Sequence, residues 1–133
     1  MKFNWFLFLP MVISILSSCS TEPEYNYIEY KIKVDSLVYP NAIVFGDTLL
    51  LKFYGFVGPD GCHTISRFEE IKKPEEVEIQ VWGKKPDFST VCSAVIVEMR
   101  GTPHKVVPEQ QGLFLIKVKQ PDDSYLIDSV LVQ

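Results

Sequence analysis

Cys62, His63, Cys92 and His104 are of the right atom types to hold a zinc ion. Their spacing opposes it, because Cys62 and His63 are adjacent and neighbours on an extended strand point to opposite faces. No metal is therefore expected. Covalent catalysis needs a nucleophile with a base in reach, and the chain has neither a Gly-x-Ser-x-Gly elbow nor a Ser-x-x-Lys motif. His104 stands in a segment carrying Pro103 and Pro108, with Asp60 and Ser66 as the groups it would have to meet. The acid pairs Glu69-Glu70, Glu75-Glu76 and Asp122-Asp123 sit beside turns or prolines, where carboxylates are ordinary solvating groups. Gly55 to Gly61 is glycine-rich but lacks the Lys-Ser/Thr that follows a phosphate cradle. The expectation is a protein that is not an enzyme and needs no cofactor.

Aromatic residues are the better pointer to binding. Trp82 shares a strand face with Glu78 and Gln80, Tyr54 shares one with Lys52, and Phe88 falls in a loop. An exposed platform of these would stack on a sugar ring or anchor a protein partner. The two long connections expected, Gly83–Thr90 and Gly101–Gly112, are natural recognition loops, and His104 lies in the second. Trp82, Tyr54, Phe88 and His104 are thus the candidate ligand-binding residues.

A β framework must position them. Ile28, Tyr30, Ile32 and Val34 alternate with Glu29, Lys31, Lys33 and Asp35, the period of a half-buried strand. Further strands are predicted over Ala42–Phe45, Thr48–Val57, Cys62–Phe68, a segment around Val77–Val81, Val91–Met99, Leu113–Lys119 and Ser124–Val132. Val91–Met99 is expected to be central, and Glu69–Glu76 a charged connection broken by Pro74. Seven or eight short strands with regular turn signals predict an all-β sandwich, with a small β-barrel as the alternative. The closing pair, Gly112–Val118 and Asp128–Val132, resembles the last two strands of bacterial immunoglobulin-like modules. That resemblance implies an immunoglobulin-like architecture and no particular function. Cys62 and Cys92 do not flank a central Trp as in the antibody pattern.

The N-terminus has a separate logic. Lys2 precedes a short apolar run from Trp5 to Leu16, too short for a spanning helix, which needs about 20 apolar residues. Leu16-Ser17-Ser18-Cys19 closes it and resembles a bacterial lipobox. The resemblance implies a signal peptide over residues 1–18, diacylglyceryl on Cys19, a lipidated tether over 19–26 and a β-domain over 27–133. It also implies the cell envelope as the location, and Ser20 rather than Asp after the cysteine implies outer-membrane sorting. With Cys19 so used, Cys62 and Cys92 remain as a pair, and outside the cytoplasm such a pair is expected to form a disulfide. Charge excludes one class of partner: 13 Lys+Arg against 17 Asp+Glu, without a basic stripe, do not suit nucleic acid. The expected function is a lipid-anchored binding or accessory module that contacts a protein partner at the envelope. Its rivals are a carbohydrate-binding accessory lipoprotein and a small inhibitor or immunity protein.

Overall fold

The computed structural model describes residues 26–88 and 90–133. The expected signal peptide, Cys19 and the expected tether up to residue 25 lie outside the described residues. Among the described residues nine strands run in chain order: β1 (Tyr27–Lys31), β2 (Ser36–Val38), β3 (Ala42–Ile43), β4 (Leu49–Gly58), β5 (Thr64–Lys73), β6 (Glu76–Pro86), β7 (Val97–Val106), β8 (Gly112–Lys119) and β9 (Tyr125–Val132). They form two sheets that do not close into a barrel. The smaller is β2-β4-β7, and the larger is β1-β6-β8-β9-β3 with β5 on the other side of β6. The short strand β2 takes the count past the seven or eight expected, while β3 is the start of the strand expected over Ala42–Phe45.

Period-two alternation explains the core. Leu49, Leu51, Phe53 and Val57 of β4 face Val77, Ile79 and Val81 of β6 and Phe114, Ile116 and Val118 of β8, all buried. β8 and β9 form the expected antiparallel hairpin, whereas β6 and β8 run parallel. β1 pairs with the second half of β6, beyond the stretch that β8 occupies. Both therefore lie along one side of β6, β1 beside Trp82–Pro86 and β8 beside Glu76–Gln80.

Four expectations are corrected. Glu69–Glu76 is not a connection: β5 continues to Lys73, and only Pro74-Glu75 turns. Its charges suit an edge strand, where they discourage pairing with another chain. Gly83–Thr90 is strand as far as Pro86 because β1 pairs there. Val91–Met99 is not a central strand: Val91, Val95 and Ile96 are exposed, and β7 begins only at Val97, on a sheet edge. Gly101–Gly112 is strand up to Val106, and Pro103 is accommodated because an edge strand has a side without ladder bonds.

The β5 edge of one sheet meets the β7 edge of the other at His104. Its ring stacks on Phe68 at 4.5 Å, Phe53 packs 5.1 Å from Phe68, and Nε2 meets a carboxylate oxygen of Glu70. His104 is thus a clasp between sheets rather than a solvated loop residue. His104→Ala is expected to cost about 2 kcal/mol of stability in urea titration through lost stacking and packing. An unchanged midpoint would mean that this contact does not hold the sheets together.

Candidate functional site

The open face of the larger sheet carries the most structured polar surface. On β6, Glu76, Glu78, Gln80 and Trp82 point outward while their neighbours fill the core. A depression of about 240 Å³ lies over this face, bounded by Trp82, Glu69, Glu78, Lys31 and Lys119, with Gln80 also lining it. The Trp82 indole N–H donates to Glu69 Oε2 at 2.7 Å, and the Arg67 guanidinium sits 4.7 Å above the ring. Arg67 in turn contacts Glu29, which also accepts from the Ser66 hydroxyl at 2.7 Å. The Ser66 and Arg67 donors hold the Glu29 carboxyl below its ordinary range. The indole is therefore fixed in place with one face covered by a cation.

Gln80 is the unusual member. It is only 6% exposed although it points away from the core. Its Nε2 donates to the Lys119 carbonyl at 3.1 Å, while buried Oε1 has no hydrogen-bond partner among the described residues. Buried acceptors are rarely left so. At the rim, the Lys31 and Lys119 ammonium groups flank Asp123 at 3.5 and 3.6 Å. The arrangement offers hydrogen-bonding groups of both signs beside an aromatic wall, which suits recognition of a polar surface. No protein-family model, curated protein or solved structure matches the chain. Function has to be read from the side chains and their geometry.

The sequence-predicted residues do not converge. Trp82 lines the depression on the larger sheet. Tyr54 lies on the outer face of the smaller sheet, over Gly101, the extra residue where β7 bulges opposite Phe53 and Tyr54. Gly101 has φ 84°, a conformation that suits glycine and twists the edge locally. Phe88 borders the disulfide beyond the end of β6, and His104 is the clasp between sheets. A shared aromatic platform of Trp82 and Tyr54 is therefore not formed.

Cys62 and Cys92 are joined as a disulfide, with their Cα atoms 5.4 Å apart. Cys62 and His63 sit in the turn before β5 rather than on the strand. Asp60 organises that turn: its Oδ1 accepts from the Cys62 N–H at 3.0 Å and lies 2.8 Å from His63 Nδ1. The His63 ring lies so close to Gly58 that a Cβ there would fall 2.2 Å from it. Hence His63 turns to Asp60 and His104 to Glu70, and the four donors of the zinc reading are not brought together.

The His63 ring and the Cys62 N–H lower the Asp60 pKa. A carboxylate so depressed contributes stability above the ordinary aspartate value of about 3.9, and that contribution is lost as pH falls through the lower folded value. Asp60→Asn is expected to flatten the acid limb of the stability curve below about pH 4. An acid limb identical to the parent's would show that the turn does not hold Asp60 in solution.

Two residues of consequence escaped sequence reasoning. Gln80 reads as an outward polar residue, and Gln120 as the first residue of a turn, yet both are buried. The only signal in the sequence is an amide, rather than a charge, at a position where the pattern expects solvent.

Proposed function

We propose that the chain is a lipid-anchored binding module of the cell envelope, tethered through Cys19 and engaging a protein partner on the open face of its larger sheet. The observation that carries the partner reading is a strip of exposed apolar side chains on β8 and β9. Leu113 is 64%, Ile127 57% and Leu131 44% exposed. Leu113 and Leu131 are cross-strand partners, and Ile127 pairs with Lys117 further along the same face. Such a strip with a polar, charged border is the pattern of a protein interface. It continues through Lys117 and Lys119 to the depression at Gln80 and Trp82.

A photo-crosslinking residue at Ile127, introduced in intact cells, is expected to capture one predominant protein. Leu113→Asp should abolish that adduct without changing the amount of folded protein. Capture from Val107, at the far end of the domain, with none from Ile127 would overturn the choice of face. The anchor has its own test. Cys19→Ser is expected to move the protein from the membrane to the soluble fraction, because two acyl chains at roughly 0.8 kcal/mol per buried methylene provide the attachment. A mutant that sediments with membranes to the same extent as the parent would refute the tether.

A glycan is the second reading, favoured by Trp82 beside the unpaired Gln80 acceptor. Arg67 over the indole leaves less ring for a sugar to stack on. Trp82→Ala would abolish glycan retention while sparing an Ile127 crosslink, which separates the two. The immunoglobulin-like architecture is part of the proposal as well. It draws support from the antiparallel β8–β9 hairpin and the β2-β4-β7 sheet, while the parallel β6–β8 pairing stands against it.

A further inference from the structure

We infer that the connection between β6 and β7 rests, through its residues 90–96, on the lipid surface as a second membrane contact beside the acyl anchor. The inference depends on the reading of Cys19 as the lipidated residue. The described fold begins at Asn26, whose carbonyl accepts from the Asp87 N–H at 2.9 Å, and Tyr27 pairs with Pro86. The chain therefore enters the domain at the foot of this connection. From Cys19 to Asn26 there are only seven residue steps, at most about 25 Å when fully extended. Whatever path they take, this end of the domain is held close to the bilayer.

The connection carries side chains suited to that position. Val91 is 100%, Ile96 62% and Val95 59% exposed. Burial does not hold these residues in place. Their neighbours do: Cys92 is bonded to Cys62, and the Gly61 N–H donates to the Ser93 carbonyl at 2.9 Å. An apolar loop fixed on a rigid base loses little conformational freedom on insertion, which favours burial in the interface. The opposite end of the domain also exposes apolar groups, Val44, Phe45 and Val107. That end is the natural comparison, since it has equal apolarity and no nearby anchor.

The test uses the mature lipidated protein reconstituted into phosphatidylcholine vesicles, with and without brominated acyl chains. Val91→Trp places a reporter in the loop, and Val107→Trp places one at the far end. Native Trp82 gives the same background in both. Brominated lipid is expected to quench the Val91→Trp reporter at least about twofold more than the Val107→Trp reporter, the interface reaching some 5–10 Å deep. Equal quenching overturns the inference, as does a blue-shifted Val91→Trp emission that needs no vesicles and grows with protein concentration, which would mean that a second copy covers the loop. Metabolic labelling with an alkyne fatty acid reads Cys19 independently. Labelled protein without selective quenching sinks the loop contact alone; selective quenching without label sinks the anchor alone. Val91→Asp with Ile96→Asp, both at exposed positions, should abolish whatever vesicle binding the Cys19→Ser protein retains.

Discussion

Converting Cys62 and Cys92 together to alanine is expected to lower the unfolding free energy by about 3.5 kcal/mol, as loop-closure entropy predicts for a crosslink of this span. The bond joins residues 30 apart. What it holds is the turn before β5 and the connection before β7, neither of which has a buried apolar anchor of its own: Cys62 and Cys92 are only half-buried, and the residues around Cys92 are exposed. Urea titration of the oxidised protein, the reduced protein and the double variant measures the effect. The last two should coincide, well below the first. A loss under about 1 kcal/mol would mean that the unfolded chain is already constrained across this span. The face proposed for the partner should be unaffected at temperatures where the variant is folded, because it lies on other strands.

Gln120→Ala is expected to cost about 3 kcal/mol, since it leaves two buried backbone groups unpaired at roughly 1–3 kcal/mol each. The Gln120 Oε1 accepts from the Val34 N–H at 3.0 Å, and its Nε2 donates to the Val34 carbonyl at 3.2 Å. In effect, one side chain stands in for a strand. β1 has ended at Lys31, the Ile32 N–H still reaches the Val81 carbonyl, and Asp35 has turned to Tyr54 on the other sheet. Val34, between the sheets, has no strand to pair with. Native-state hydrogen exchange gives the specific check. The Val34 amide should lose protection in the variant by more than the global destabilisation explains, and if it exchanges no faster than its neighbours, Gln120 is not its partner.

Periodicity located the core because inward residues alternate strictly. Val77, Ile79 and Val81, and Leu113–Lys119 against Ser124–Val132, are legible from that rule alone. It misplaced Val91–Ile96, since an apolar run can lie in a surface connection when a disulfide holds it there. It also stopped β5 and β6 short, because their outer ends are charged or glycine-containing and only pairing with each other and with β1 makes them strand. Prolines misled in the same way at Pro103, which an edge strand tolerates. As for the site, Trp82 was readable as an outward aromatic. Of the partners that fix it, Arg67 lies in the predicted strand Cys62–Phe68 but Glu69 lies in a segment whose charges suggested a connection, and Gln80 is flanked by strands on both sides, at Glu69 and Lys119.

The pairing pattern also dictates when the molecule can assemble. Tyr27 and its strand, the first part of the domain to be made, find their partners only at Trp82–Pro86. Ala42 and Ile43 wait longer still, for Leu131 and Val132. β4 finds β7 only after the 38 residues between Gly58 and Val97 have been added, and β6, already paired with β5 and β1, lacks its neighbour along Glu76–Gln80 until β8 follows. The larger sheet can therefore be completed only when nearly the last residue is synthesised, and its non-local pairings must bear their loop-closure cost first. A chain stopped a few residues early, before Val130, loses the strand ends that cover both β3 and the base of the core.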